Sequence, residues 1–174
     1  YKPMRHLCNS AGIVRHHQLH YDMVRLGLGL YGVDTSHALQ QKLRQISTLK
    51  TTIAQVRNVP AGDSIGYGHH TIAAKDMRIA TICIGYADGY PRTLGKGNAF
   101  VLIHSKEART VGSICMDMCM VDITSIPDAA EGDEAIVFGV GLPVTQLAEW
   151  AGTISYEIMT NISQRVKRVY VNEE

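Results

Sequence analysis

No stretch of this chain approaches the ~18 consecutive apolar residues of a bilayer-spanning helix, so a transmembrane-helix reading is excluded. An excess of either charge is missing too: 17 Lys and Arg stand against 16 Asp and Glu, leaving +1 at neutral pH. That balance gives no reason to expect a nucleic-acid or membrane partner. The chain opens on Tyr1-Lys2-Pro3 with neither an initiator Met nor a targeting segment, and no internal repeat or low-complexity tract follows. Cysteine is scarce. Cys8, Cys83, Cys115 and Cys119 lie in apolar or strand-like surroundings; without a secretion signal they read as buried free thiols of a cytoplasmic protein. Cys115 and Cys119 invite a metal, yet on one strand they would lie roughly 13 Å apart, too far to share an ion. No metal is expected, and Asp117 and Asp122 read as turn or hydrogen-bonding residues.

What is present suffices for a core. Hydrophobic residues make up 45% and charged residues 19% of 174 positions, the make-up of a globular protein. A domain of ~150 residues buries about two-thirds of its unfolded surface. Residues 23–31 are apolar and glycine-rich, which predicts a buried parallel strand running into a ligand loop. Residues 35–45 are polar and read as a linker or short helix. From Ser47 the pattern is all-β. Residues 46–59 are rich in β-branched side chains and are halted by Pro60-Ala61-Gly62-Asp63, a turn. Met77, Ile79, Thr81 and Cys83 alternate with Arg78, Ala80, Ile82 and Ile84, and further strands are predicted over 99–104, 108–122 and 134–138. Short strands joined by Gly- and Asp-bearing turns suggest a barrel or a sandwich. Pro143 then opens a helix carrying Val144, Leu147, Ala148 and Trp150, and Gly152 ends it. A second helix opens at Ser155, with Ile158, Met159 and Ile162 at helical spacing. The fold class is mainly β with two late helices.

Chemistry is first suggested by Gly66-Tyr67-Gly68, just past the 60–63 turn. Glycine on both sides opens the backbone so that a phenol protrudes. Alone, the tripeptide is an ordinary turn tyrosine. It is accompanied, however, by His6-Leu7-Cys8-Asn9-Ser10-Ala11-Gly12 and Arg25-Leu26-Gly27-Leu28-Gly29-Leu30-Tyr31-Gly32 upstream. Downstream come Ile84-Gly85-Tyr86-Ala87-Asp88-Gly89-Tyr90-Pro91-Arg92, Cys115-Met116-Asp117-Met118 and Gly152-Thr153-Ile154-Ser155-Tyr156-Glu157. In this order and spacing, the segments resemble those of the alanine racemases over nearly the whole chain, which corresponds to the C-terminal half of such an enzyme. The resemblance makes residues 1–43 the end of a TIM-type (β/α)8 cofactor-binding barrel with its linker. Residues 44–174 become the C-terminal β domain, a β-barrel-like unit.

The resemblance implies pyridoxal 5'-phosphate of the fold-type-III class as cofactor and alanine as substrate. It implies interconversion of L- and D-alanine for peptidoglycan of the cell wall, by a homodimer in which Tyr67 acts in the partner subunit's site. Tyr67 would be catalytic, exchanging the α-proton on the L side. A free phenol titrates near ~10, and lowering it to ~7 takes about 4 kcal/mol of preferential anion stabilisation; His6 and Arg25 are the candidate cations. Arg25 would also meet the pyridine nitrogen. An arginine keeps its proton, so that nitrogen only accepts a hydrogen bond and the electron sink is weakened, favouring reprotonation over transamination. Ser10, the amides of Gly27 and Leu28, and Tyr156 would bind the phosphate. The amide of Met116 would meet the substrate carboxylate, Tyr86 would narrow the entrance against larger amino acids, and Arg92 would draw carboxylates inward.

The sequence departs from the common pattern at Leu26, where proline is usual, at His69-His70, where threonine and an aromatic are common, and at Ser113, often an arginine. These changes bear on entrance geometry. The family's Schiff-base lysine belongs to the N-terminal barrel. Lys2, Lys42 and Lys50 stand in the wrong context to replace it, so the chain by itself is expected to be inactive. Two other readings compete. One is a serine racemase or another amino-acid enzyme of the same cofactor fold, such as a decarboxylase, whose cysteine–aspartate loop Cys115-Met116-Asp117 copies poorly. The other is a free-standing β-barrel binding module, which leaves the ordered tyrosines unexplained.

Overall fold

A computed structural model describes residues 1–35 and 39–171. The chain forms two units, Tyr1–Ser47 and Thr48–Glu174. In the first, helix α1 (Ser10–Arg15) begins at Asn9, whose side chain accepts the Gly12 N–H at 3.0 Å. That bond satisfies one of the amides a helix start leaves without a partner. The strand expected over 23–31 is not there. Met23 makes a single parallel bridge to His6, and Leu28–Tyr31 coil into a 3-10 turn. A strand is held extended by lateral pairing along its edges, and here that pairing stops early: beyond the bridge, Arg25 N–H reaches Cys8 O at 2.9 Å before the chain coils at Leu28. Met23, Val24, Leu26, Leu30 and Tyr31 are accordingly exposed, not buried. Of the linker expected over 35–45, residues 36–38 lie outside the described residues; Gln40–Lys42 make one 3-10 turn.

The second unit contains β1 (Leu49–Val59), β2 (Ser64–Ile65), β3 (Thr71–Ile72), β4 (Met77–Ile82), β5 (Phe100–Ile103), β6 (Lys106–Val111), β7 (Cys119–Asp122) and β8 (Glu134–Phe138), then α2 (Val144–Ala151) and α3 (Ser155–Asn161). Six strands close into an antiparallel barrel in the order β1-β4-β7-β6-β5-β8, while β2 and β3 form a separate ribbon. Closure decides between barrel and sandwich, and removes every strand edge from the six-stranded sheet. β1 makes it possible. Its first residues pair with β8 (Leu49↔Phe138, Thr52↔Glu134) and its last with β4 (Gln55↔Thr81, Val59↔Met77), with an irregularity between Ile53 and Gln55. Such a bulge bends a strand and increases its twist, which one strand needs to serve two neighbours.

The interior follows the period-two pattern. Val101 and Ile103 of β5, Ala108 of β6, Cys119 and Val121 of β7, and Ala135 and Val137 of β8 are fully buried. Each such valine or isoleucine contributes about 1.5–3 kcal/mol. Thr110 is a polar member of this layer, its hydroxyl donating to Leu94 O at 2.7 Å. In α2, Val144, Leu147 and Ala148 are buried, and Trp150 meets Phe100 edge-on with centroids 4.6 Å apart. Gly152, at φ +72, ends that helix as expected. Ile158 of α3 is buried, whereas Ile162 lies past the end of the helix.

One predicted strand is two. Between β6 and β7 the chain leaves the sheet at Gly112 (φ +68) and returns at Cys119, so 108–122 is interrupted by a loop. Cys115 therefore does not share a strand with Cys119, and the strand spacing invoked against a metal does not apply. Among the described residues no group of three His, Cys, Asp or Glu could hold a metal ion. The thiols also differ from expectation: Cys8 and Cys119 are buried, Cys115 is half-buried and Cys83, just beyond β4, is exposed. Burial pushes the Cys119 thiol up to about 12, leaving almost no thiolate at neutral pH. Iodoacetamide at pH 8 should modify Cys83 first and spare Cys119 until denaturant is added, read by peptide mass spectrometry. Early labelling of Cys119 in the folded protein would contradict this packing.

Candidate active site

In the second unit the candidate residues other than Tyr156 sit on connections between barrel strands. Tyr67 stands on the β2–β3 ribbon. Gly66 (φ +81, ψ −178) and Gly68 (φ +81, ψ 2) hold it, and the first of these conformations is essentially restricted to glycine. Space adds less: a Cβ on Gly66 would lie 2.7 Å from Met120 Cε and one on Gly68 2.8 Å from the His70 ring, both side-chain atoms that can move aside. The loop lifts the tyrosine out, leaving it 83% exposed. His69 Nδ1 bonds the Ser64 hydroxyl at 2.5 Å, so this departure from the family pattern braces the loop beneath Tyr67.

Tyr86 and Met116 are brought together. Tyr86–Asp88 form a 3-10 turn, and 115–118 form a tight loop closed by Cys115 N–H to Met118 O at 2.9 Å. The two are laced by Tyr86 N–H to Cys115 O and Ala87 N–H to Met116 O, each 3.0 Å. Gly85 permits the approach: a Cβ there would lie 2.3 Å from both carbonyl oxygens. Tyr86 and Met116 keep their side chains exposed. Arg92 opens the next 3-10 turn, Arg92–Leu94. It lines a hollow of about 330 Å³ with Lys96, Asn98 and Ser113. Lys96 thus sits beside the serine that stands where arginine is common. Tyr156 lies in the first turn of α3, half-buried, its carbonyl accepting the Thr160 hydroxyl at 2.7 Å.

One residue of this unit escaped the sequence reading. Arg165 donates through Nε to Asp88 Oδ1 at 2.8 Å and through Nη2 to Asp117 Oδ1 at 2.5 Å. It thereby joins the Tyr86 turn to the Met116 loop. Nothing in the polar 163–168 stretch signals this, because the partners are 77 and 48 positions away.

The first unit groups the other candidates. Ser10 Oγ, at the start of α1, accepts the Gly27 N–H at 3.0 Å and the Gly29 N–H at 3.2 Å. Leu28 is buried at the head of its 3-10 turn. Arg25 is exposed, with Nη2 donating to Leu7 O at 3.0 Å, and His6 holds the bridge to Met23.

Residues 46–170 match the family described as alanine racemase, C-terminal domain, and residues 1–35 match alanine racemase, N-terminal domain. The chain belongs to the alanine racemase family. Among curated members, the alanine racemase of Desulfovibrio desulfuricans is 44% identical over 171 residues, 97% of this chain and 46% of its own length. That of Desulforamulus reducens is 42% identical over 97% of this chain and 46% of its own length. The chain thus spans about half the length of these alanine racemases. Among solved structures, the biosynthetic alanine racemase of Pseudomonas aeruginosa superposes with a TM-score of 0.89 at 36% identity, covering 99% of this chain and 49% of that one. The Bartonella henselae alanine racemase, solved with covalently bound pyridoxal phosphate, gives 0.89 at 32% identity over 98% of this chain and 48% of that one.

Proposed function

We propose that this chain supplies the C-terminal part of an alanine racemase, interconverting L- and D-alanine for cell-wall peptidoglycan. The observation that carries the proposal is the exposed phenol of Tyr67, held up by two glycines in positive-φ conformations that other residues rarely adopt. Pyridoxal 5'-phosphate is the proposed cofactor, and Ser10 fits it. A hydroxyl has two acceptor sites and one donor; with Gly27 and Gly29 filling the acceptor sites, what remains is an O–H suited to an anionic oxygen. The Gly27 amide is occupied by that same hydroxyl, so the Leu28 amide is the better second donor. Tyr156 is retained as a phosphate ligand on family resemblance.

When bound, the cofactor supplies the electron sink that makes the substrate's α-hydrogen acidic. Tyr67 Oη takes or returns that proton on the L side. The Arg25 guanidinium, pinned at one corner by Leu7 O, offers a proton that it does not surrender. The Met116 amide orients the substrate carboxylate, and Tyr86 limits the side chain to the size of a methyl. Arg92 brings positive charge to the entrance. Tyr67, Tyr86 and Met116 are proposed to serve the partner subunit's site in a homodimer, working in the cytoplasm without nucleic acid or membrane. The lysine serving the D side is assigned to residues outside this chain.

The test compares the chain alone, supplied with pyridoxal phosphate, against a longer protein carrying it. Coupled assay for D-alanine should find turnover only in the longer protein. Racemisation by the chain alone would overturn this division of labour, and a longer protein that racemises serine but not alanine would overturn the substrate.

A further inference from the structure

The segment after α3 is built around two arginines with different work. Arg168 gathers the carbonyl oxygens of Ile162 and Ser163 at 3.0 Å each and of Val166 at 2.9 Å. These bonds knot the chain just past the end of α3 into a compact turn. Arg165 projects from this knot to Asp88 and Asp117. Asp88 is itself fixed three ways. Its Oδ2 accepts the Gly85 N–H at 2.9 Å, its backbone carbonyl accepts the Ser163 N–H at 3.1 Å, and its Oδ1 takes Arg165 Nε. Its side chain is only 15% exposed, against 53% for Asp117. The guanidinium thus has a rigid anchor on the Tyr86 turn and a more open one on the Met116 loop. A planar fork with donors at fixed angles sets the separation of two carboxylates in a way that a lysine, a point charge on a flexible stem, does not.

We propose that Arg165 is a specificity-determining positioning residue: by bridging Asp88 and Asp117 it fixes the gap between the Tyr86 phenol and the Met116 amide, and so the size of side chain the site admits. This rests on the racemase reading above. Arg165 touches neither substrate nor cofactor. It acts on the register of two loops that also share the bonds from Tyr86 and Ala87 to Cys115 and Met116. Releasing the fork should let the loops part slightly without unfolding the barrel, because Arg165 and Asp117 are both half-open to water.

The test uses the holoenzyme and the ratio of kcat/KM for L-serine to that for L-alanine. A merely structural defect reduces the active fraction, which cancels in this ratio. A hydroxyl or methylene is worth only one to two orders of magnitude in discrimination. Arg165→Gln should therefore raise the serine-to-alanine ratio by about five- to tenfold. Arg165→Lys should raise it less, and Asp117→Asn, which loosens only the exposed arm, should move it the same way. An unchanged ratio in Arg165→Gln, whatever its absolute rate, would overturn the assignment while leaving the racemase reading intact. A wild-type holoenzyme that fails to racemise alanine would overturn both.

Discussion

Replacing Tyr67 by Phe in the assembled enzyme should slow loss of the α-proton from L-alanine by about 10²–10⁴-fold, the usual worth of a positioned acid or base. Loss from D-alanine should stay within a few fold. The asymmetry cannot be read from overall racemisation, because the two enantiomers are equal in free energy and the net rate constants must fall together in both directions. It has to be read from washout of α-deuterium into solvent, started separately from each enantiomer. The substitution is otherwise mild: the ring is 83% exposed and the glycines on either side set the loop, so melting temperature should not move. Equal, small effects on both enantiomers would remove Tyr67 from the chemistry.

Gly85→Ala should be nearly as damaging by a wholly different route. The backbone there is extended, at φ −149, so alanine meets no conformational penalty. What it meets is carbonyl oxygen, at 2.3 Å from both Cys115 and Met116. One methyl group therefore acts as a wedge between the Tyr86 turn and the Met116 loop, and the bonds from Tyr86 and Ala87 must lengthen or break. A displacement near 1 Å at a site that positions substrate costs on the order of 100-fold, and we expect that loss in kcat/KM for alanine. Strain of this kind in a packed region costs about 1–3 kcal/mol, which lowers a melting temperature by several degrees for a unit of this size. Wild-type activity in Gly85→Ala would mean that the two loops do not form one surface.

These substitutions also mark what a one-dimensional reading reaches. β5, β8 and the end of α2 were legible because alternation and glycine stops are local signals. The interrupted strand between Ala108 and Asp122 was not, since Ile114 to Met118 is as apolar as the strands beside it and only Gly112 marks the exit. The glycine-rich stretch near Leu28 misled for the opposite reason: its apolar content suits a strand, but strands exist only with neighbours. Tyr67, Tyr86 and Met116 were visible through ordered motifs. Arg165 was invisible because its role depends on two carboxylates that only folding brings within reach.

The way β1 is shared has a consequence for how the chain is made. Leu49 pairs with Phe138, so the seam of the barrel cannot zip until almost all intervening sequence exists. At ~5–20 residues per second of synthesis, the opening strand waits several seconds with its hydrogen-bonding groups uncovered. That interval is when chaperones would find the nascent chain, and when an aggregate would start.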